Sequence, residues 1–263
     1  MEQTKENRKM SLKEKLSRNE LTIGSWVTLG HSGIAELMAK AGGFEWLTID
    51  MEHSVIELRD VHEMIQAIDI VGVEPLVRLT SNNENQIKRV MDAGAHGVVV
   101  PFVNSKEDAE RAVQSVYYPP LGARGAGLAR AQNYGSSFQE YIKWLETNGV
   151  VIVMIEHKDG VKNIEEILNV QGVDGYIIGP YDLSASLGIP GNFEHPRVIE
   201  AIQNIYAGGQ AVGKAGGIHV VEPDLNALKK FIGDGFKFIG YGMDIRFLDY
   251  ICRDHLTKIR ELK

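Results

Sequence analysis

The sequence predicts an α/β protein built as a single (β/α)8 barrel, the TIM-barrel architecture of eight parallel strands inside a ring of helices. From residue 21 onward, short apolar runs of strand character alternate with amphipathic stretches of helical periodicity. Such alternation indicates parallel strands joined by helical crossovers. The chain contains 263 residues, an ordinary length for one such barrel. An open doubly wound sheet, which has the same alternation, is the alternative.

The predicted strands are short runs rich in β-branched and aromatic residues, bounded by turn residues. They cover residues 22–28, 44–50, 75–79, 97–102, 150–155, 175–178, 214–218 and 236–240. Eight strands are the number that a closed barrel of this kind requires. Residues 21–263 are therefore assigned to one barrel domain, preceded in residues 1–20 by a polar tail and a short helix.

The predicted helices have apolar residues at helical spacing and residue types that are common at helix ends. They cover residues 34–41, 57–70, 83–93, 105–116, 138–146, 161–168, 196–206, 224–232 and 245–262. Gly42, Gly72 and Gly94 follow the first three, as C-terminal glycines do. Ser105 precedes acidic residues in the next turn, which is a helix-start pattern. A Gly/Pro-rich loop, residues 118–134, follows the fourth helix.

The bulk composition narrows the classes of function. A net charge of −7 argues against sequence-independent binding of nucleic acid, which needs clustered basic residues. No apolar run approaches the roughly 20 residues that cross a bilayer, and the polar N-terminus has no signal-peptide core. The single cysteine, Cys252, excludes an intramolecular disulfide and a cysteine metal cluster. We therefore expect a cytoplasmic protein that binds neither nucleic acid nor membrane.

Two acidic residues end predicted strands at the face where barrels carry their chemistry. The fifth strand ends in Glu156, and the run that begins with the sixth strand ends in Asp182. A carboxylate at the end of a buried strand needs water, a cation or a hydrogen-bond network. Together the two carboxylates predict a divalent-metal site that leaves positions for water and substrate. A structural ion pair is the alternative for either carboxylate alone.

Further polar groups converge on the same face. The second strand ends in Asp50, Glu52 and His53, and the third ends in Arg78. Arg78 suits a carboxylate or a developing oxyanion, and His53 can exchange protons near neutral pH. Arg78 can also simply neutralise a neighbouring carboxylate, and a strand-end histidine is often structural. Their convergence on one predicted face favours a catalytic site.

Four motifs, in this order along the chain, resemble the HpcH/HpaI aldolase family. They are LTIDMEH at 47–53, PLVR at 75–78, YPPLGARG at 118–125 and VDGYIIGPYDLS at 173–184. The resemblance extends from about residue 24 to about residue 242. It implies a class II pyruvate aldolase that uses Mg2+, Mn2+ or Co2+ and acts on small-molecule 2-keto acids.

The resemblance also implies a role for individual residues. Glu156 and Asp182 match the two metal ligands. His53 matches the acid/base histidine, and Arg78 matches the arginine that stabilises the enolate. Asp92 matches an aspartate that raises the basicity of that histidine.

Positions beside the metal ligands carry the remaining implications. Asp50 and Glu52 match acidic neighbours that hold metal-bound waters, and the backbone at Tyr181 and Asp182 matches the contact to the substrate carboxylate. Two positions depart from the family pattern, which often has glutamine where this chain has Met154 and alanine or serine where it has Tyr181. Both lie beside the metal ligands, so they concern the substrate more than the reaction class.

The expected function is a lyase that cleaves or forms a C–C bond in a 4-hydroxy-2-oxo acid, with pyruvate or a related 2-oxo acid and an aldehyde as products. A CoA-thioester lyase of the citrate-lyase β type is one alternative, but it needs an extended cationic surface. Only Arg124 and Arg130 stand in a suitable loop. A non-catalytic barrel that binds a keto acid is the other alternative, and the complete set of site residues argues against it.

Two segments outside the strand ends carry further expectations. The loop 118–134 has a length that is typical of functional loops. We expect it to cover this site, or that of a neighbouring subunit, with Arg124 binding substrate. The final helix, residues 245–262, has apolar residues at helical spacing. It can pack on its own barrel, but the resemblance implies a homo-oligomer, a hexamer, with this helix at an interface.

Overall fold

Eight parallel strands close into a barrel in the computed structural model, which describes residues 9–262. Each strand pairs with the next one along the chain, and β8 pairs with β1, so the sheet has no open edge. The strands are β1 Thr22–Val27, β2 Trp46–Asp50, β3 Glu74–Arg78, β4 Gly97–Val100, β5 Val150–Ile155, β6 Gly175–Ile178, β7 Ala215–Val220 and β8 Phe238–Met243. The predicted (β/α)8 barrel is confirmed, and the open doubly wound sheet is excluded.

Helices connect the strands and form the outer layer. They are α1 Leu12–Ser17, α2 Ser32–Lys40, α3 Leu58–Asp69, α4 Glu84–Ala93, α5 Lys106–Val116, α6 Phe138–Asn148, α7 Lys158–Lys162, α8 Ile164–Leu168, α9 Pro180–Ser186, α10 Pro196–Ala211, α11 Leu225–Gly233 and α12 Asp244–Glu261. A 3-10 segment, Arg130–Gly135, lies in the loop between α5 and α6.

Helix ends agree well with the prediction where the sequence carries an explicit end signal. Ser105 caps α5, because its hydroxyl accepts a hydrogen bond from Asp108 N while the Asp108 side chain accepts one from the Ser105 backbone. Gly94 ends α4 in the left-handed conformation, with φ 104°, which glycine adopts without steric cost. These local contacts satisfy backbone groups that a helix leaves without partners.

Two predicted elements are corrected by the structure. The helix expected over residues 161–168 is two short helices, α7 and α8, which meet at Asn163. The segment after β6 forms α9, whose seven residues are too few to show a helical period. Gly179 and Pro180 begin α9, so Asp182 lies in the first turn of a helix and not at the end of a strand.

Large side chains fill the barrel interior. Trp46 stacks on Phe238 with ring centroids 4.1 Å apart, and it meets Trp26 edge-on at 5.6 Å. Gly24 provides the space, because a Cβ there would lie 2.0 Å from Trp46 Cδ2. Two leucines of α1 belong to the same buried cluster, so α1 covers the N-terminal end of the barrel. The carboxyl ends of the strands, at the other end, border a cavity.

None of the helices between residues 9 and 262 is both long and apolar enough to cross a membrane. The short helix expected in the N-terminal segment is α1. The polar tail expected before it falls largely on residues 1–8, which lie outside the described residues.

Candidate active site

A cavity of about 500 Å³ lies at the carboxyl ends of the strands. Its wall contains six of the predicted site residues, namely Asp50, His53, Arg78, Glu156, Tyr181 and Asp182. They belong to β2, β3 and the segments that follow β2, β5 and β6. Closure of the barrel therefore gathers polar groups that are far apart in the chain.

Arg78 is held in one orientation by two carboxylates. Its Nε donates to Asp50 Oδ1 at 2.9 Å and its Nη2 to Asp50 Oδ2 at 2.5 Å, while Nη1 lies 3.2 Å from Glu52 Oε2. Asp50 and Arg78 are register partners in β2 and β3, so the sheet itself sets this pair. Burial acts to lower the pKa of Arg78, but the hydrogen bond with Asp50 and the charges of Asp50, Glu52 and Glu156 raise it overall. The ion pair expected as the alternative role of Arg78 is present. It fixes the planar, positively charged guanidinium, which forms a fork of N–H donors, in the cavity wall.

Asp50 also shapes the turn that carries His53. Its Oδ1 accepts hydrogen bonds from the backbone N–H groups of Glu52 at 3.0 Å and of His53 at 3.2 Å. Asp50 is only 1% exposed. The His53 side chain, in contrast, is 62% exposed, and its Nε2 lies 3.9 Å from Glu52 Oε2. An accessible imidazole at the cavity mouth suits proton exchange.

Glu156 follows β5 and is buried, at 2% exposure. Its Oε1 accepts a hydrogen bond from Phe102 N at 2.7 Å. Gly179 provides space for the other oxygen, because a Cβ there would lie 2.4 Å from Glu156 Oε2. Burial raises the pKa of Glu156 to about 7; the charge of Asp182 adds to the rise, while the Phe102 hydrogen bond and Arg78 oppose it.

Glu52 is a second buried carboxyl group with weakened acidity. Burial raises its pKa to about 7, with Arg78 opposing and Glu156 adding to the rise. Its Oε2 makes no hydrogen bond among residues 9–262, but it forms an ion pair with Arg78 Nη1 at 3.2 Å. Glu52 and Glu156 are two largely buried carboxylates that repel each other, and such a pair favours a bound cation.

The donor set suits a divalent ion bound through oxygen. The charge of Asp182, in the first turn of α9, acts on Glu156. Within the part of the chain that the structure describes, no three His, Cys, Asp or Glu side chains are grouped as metal ligands. Glu156 and Asp182, both in the cavity wall, therefore stay the predicted pair of ligands. A site with two protein ligands keeps coordination positions for water and substrate.

Two predicted site residues, Asp92 and Arg124, lie away from this cavity. Asp92 is near the C-terminal end of α4, and a helix that follows a barrel strand returns toward the N-terminal end of the barrel. Arg124 is 2% exposed; its Nη2 donates to Tyr118 Oη at 2.7 Å and Tyr141 Oη at 3.1 Å. The same atom lies 3.8 Å from Asp92 Oδ1. Neither residue lines this cavity within one protomer, and internal contacts occupy the Arg124 guanidinium. Their expected roles in the site stay predictions.

The loop 118–134 packs against the side of the barrel. Arg130 donates to Ala93 O at 3.2 Å and pairs with Asp69 Oδ2 at 2.9 Å, and these partners stand at the ends of α4 and α3. The loop therefore does not cover the cavity of its own protomer. Its expected role at a neighbouring subunit's site stays a prediction.

The cavity wall also contains residues that the sequence did not single out, among them Trp26, His219 and Met243. Trp26 and Met243 resemble ordinary core residues in a strand. His219 had a detectable signal, since it is a polar residue near the carboxyl end of β7. The predicted seventh strand stopped at residue 218, which left His219 outside it.

Comparisons with known proteins agree with this geometry. The profile of the HpcH/HpaI aldolase/citrate lyase family matches residues 22–249. The chain is 36% identical over 234 residues to the 2-keto-3-deoxy-L-rhamnonate aldolase of Escherichia coli K12, covering 88% of this chain and 86% of the relative. It superposes on an HpcH/HpaI aldolase/citrate lyase family protein from Burkholderia cenocepacia with a TM-score of 0.89 and 35% identity, over 95% of this chain and 98% of the other.

A more distant likeness concerns the fold alone. The citrate lyase β subunit of Mycobacterium tuberculosis, solved with oxaloacetate and magnesium, superposes with a TM-score of 0.59 at 15% identity. The match covers 88% of this chain and 95% of that subunit.

Proposed function

Because the chain belongs to the HpcH/HpaI aldolase/citrate lyase family, and is thus a carbon–carbon lyase, we propose that it is a metal-dependent aldolase of 4-hydroxy-2-oxo acids. The products of cleavage are pyruvate, or a related 2-oxo acid, and an aldehyde. One observation carries the proposal: the Arg78 fork, fixed by Asp50, shares a cavity with the carboxylates of Glu156 and Asp182.

Glu156 and Asp182 are the proposed ligands of Mg2+, Mn2+ or Co2+. A divalent ion supplies Lewis acidity that polarises the 2-oxo group. The buried position of Glu156 supports this assignment, because a buried carboxylate is stabilised by a cation that it contacts. Tyr181 and Asp182 lie in the first turn of α9 and in the cavity wall, so their backbone stands where it can contact the substrate carboxylate.

In the proposed reaction, Arg78 stabilises the negative charge of the enolate and His53 transfers a proton. Arg78 donates to the oxygen that becomes the enolate, and Asp50 keeps its fork from turning away. In cleavage, an imidazole nitrogen of His53 removes the 4-hydroxyl proton as the C3–C4 bond breaks and its electrons enter the C2–C3 enolate. A proton then returns to C3 to give the free 2-oxo acid. Condensation follows the same steps in reverse.

The rival CoA-thioester lyase is less compatible with the charges on the surface. Its expected phosphate contacts were Arg124 and Arg130. Arg124 is buried against Tyr118 and Tyr141, and Arg130 is paired with Asp69. Neither arginine contributes a free cation, so these residues do not form the extended basic surface that CoA requires.

We also propose a homo-oligomer, a hexamer as in the resemblance, and a cytoplasmic location that suits a single cysteine. The support for assembly is α12, where apolar side chains at helical spacing are exposed: Ile245, Leu248, Ile251, Leu256 and Ile259. Exposed apolar stripes of this kind mark interaction surfaces. Light scattering at micromolar concentration should show an assembly, and a monomer would contradict it.

The direct test of the activity is release of 2-oxo acid from a panel of 4-hydroxy-2-oxo acids. We expect turnover that disappears with EDTA and returns with Mg2+, Mn2+ or Co2+. Binding of a keto acid without turnover of any substrate in the panel would instead support the non-catalytic barrel.

A further inference from the structure

His219 is a polar side chain in the cavity wall that none of the proposed steps uses. It stands on β7, one residue before the strand ends. The same wall contains the apolar side chains of Trp26, Met154 and Ile177. Arg78 also lines this cavity, and its charge acts on the His219 ring.

The fold holds the imidazole in one orientation. The ring stacks on Trp26, with centroids 4.5 Å apart and planes inclined by 18°. Its Nε2 lies 2.9 Å from Gly242 O. Gly240 provides the space, because a Cβ there would lie 2.6 Å from Trp26 Cζ3 and 3.1 Å from His219 Cδ2. The Cδ2–Nε2 edge is therefore turned to β8, and the edge that carries Nδ1 is turned away from it.

The contact with Gly242 determines the role of each ring nitrogen. A carbonyl oxygen only accepts hydrogen bonds, so Nε2 carries the proton that it donates. Burial lowers the pKa of His219 to about 4, the Gly242 hydrogen bond opposes this, and Arg78 lowers the pKa further. The ring is therefore neutral near pH 7, and Nδ1 presents a lone pair. The one hydrogen bond of this ring within residues 9–262 is that of Nε2.

We propose that His219 is a specificity-determining residue whose Nδ1 accepts a hydrogen bond from a hydroxyl group of the substrate. When a substrate excludes water from the cavity, an acceptor in its wall costs free energy unless the substrate supplies a donor. His219 and Arg78 line the same cavity, so the hydroxyl lies on the part of the substrate near the new bond. This inference rests on the proposed aldol reaction. It narrows the substrates to those that carry a hydroxyl group in addition to the reacting 4-hydroxyl.

Either reaction partner can carry this hydroxyl group. It can belong to the 2-oxo acid, on the carbon next to the carbonyl, or to the aldehyde, on the carbon next to the formyl group. Two substrate pairs separate these sources. The first is 3-hydroxypyruvate against pyruvate with one common aldehyde, and the second is glycolaldehyde against acetaldehyde with pyruvate.

The experiment compares the wild type with His219→Leu and His219→Gln. Leucine removes both ring nitrogens, whereas the glutamine amide can donate to Gly242 O and still accept a hydrogen bond. With Mg2+ present, His219→Leu should lower the kcat/KM preference for the hydroxylated member of one pair by about tenfold, the usual contribution of one hydrogen bond. His219→Gln should retain most of that preference. His62→Leu, on the outer helix α3, is the control and should keep all of it.

Two results would overturn the role of His219. One is an equal loss of kcat/KM for the hydroxylated and deoxy members of both pairs, which would indicate that His219 only packs against Trp26. The other is an unchanged preference in both pairs. If the wild type turns over none of these substrates, the aldolase proposal fails. Calorimetry of the Mg2+-loaded protein still decides the question, because His219→Leu must change the ratio of the Kd values within one of the two pairs.

Discussion

The backbone N–H of Phe102 donates to Glu156 Oε1 at 2.7 Å, and Phe102 does so from a left-handed backbone conformation with φ 50°. This conformation costs a non-glycine residue on the order of 1 kcal/mol. The Phe102 side chain is 46% exposed, so its own burial offsets little of the cost. Strain of this kind is common where backbone orientation serves a functional group, and here it directs an N–H group at a proposed metal ligand.

Replacement of Phe102 tests this strain. Phe102→Gly should have a larger free energy of unfolding than Phe102→Ala, by on the order of 1 kcal/mol, because glycine adopts this conformation without steric cost. Urea denaturation of both variants measures the difference. The two variants lose the same ring, which makes them a matched pair. Alanine as stable as glycine at this position would show that Phe102 is not strained.

The proposed metal ligands give a second prediction. Glu156→Gln and Asp182→Asn should each lower the affinity for Mn2+ by at least about a hundredfold, because one of only two protein ligands loses its charge. The Tm of the metal-free protein should not fall, because residues at the barrel mouth serve chemistry more than packing. Calorimetric titration with Mn2+ measures the affinity, with Asp159→Asn, on the surface of α7, as the control. Wild-type affinity in both ligand variants would remove the assignment.

Arg78→Lys keeps a positive charge but loses the planar fork that grips Asp50. We expect the exchange of deuterium into the methyl group of pyruvate, followed by NMR, to slow by about a hundredfold, the usual effect of losing one oxyanion donor. Arg59→Lys, exposed on α3, should exchange at the wild-type rate. Fast exchange in Arg78→Lys would place enolate stabilisation elsewhere.

Arg124 should contribute to stability. Arg124→Met removes a buried guanidinium that bonds Val116 O, Tyr118 and Tyr141, and should lower the free energy of unfolding by on the order of 3 kcal/mol. The KM for the 2-oxo acid should stay within about twofold of wild type. If instead kcat/KM falls while stability is kept, the loop acts at the site of a neighbouring subunit.

His96 makes stability depend on pH. Its Nε2 lies 3.3 Å from Asp69 Oδ1 and its Nδ1 3.7 Å from Glu74 Oε2. Burial acts to lower the pKa of His96, but hydrogen bonds and charges from the two carboxylates raise it overall. Because the folded-state pKa is the higher one, the stabilisation is complete below the unfolded pKa of about 6.5 and is lost as pH rises through the folded value.

The variant His96→Gln removes this titration. The free energy of unfolding of the wild type should exceed that of His96→Gln by more at about pH 5.5 than at about pH 9. Urea denaturation across this range measures both, with His62→Gln as a histidine control on the outer surface. A difference that is constant with pH would mean that the pKa of His96 is the same in the folded and unfolded states.

The sequence by itself determined the barrel and one half of its site, because the signals involved are local. Alternation of apolar strands with amphipathic helices is written in neighbouring residues, and eight such strands suffice for closure. The carboxyl ends of parallel strands meet at one face. Topology alone therefore brings Asp50, Arg78 and Glu156 to the same face of the barrel.

Only the tertiary structure decided which polar groups are available in that cavity. In the sequence Arg124 is a cation in a flexible-looking loop, but folding of the loop inserts it between Tyr118 and Tyr141. His219 owes its orientation to Trp26 and to a carbonyl group on β8, and these strands meet only when the sheet closes. Periodicity records the surroundings of a residue along its own strand or helix. The partner of a hydrogen bond and the burial of a charge depend on elements that arrive from elsewhere in the chain, so no local pattern contains them.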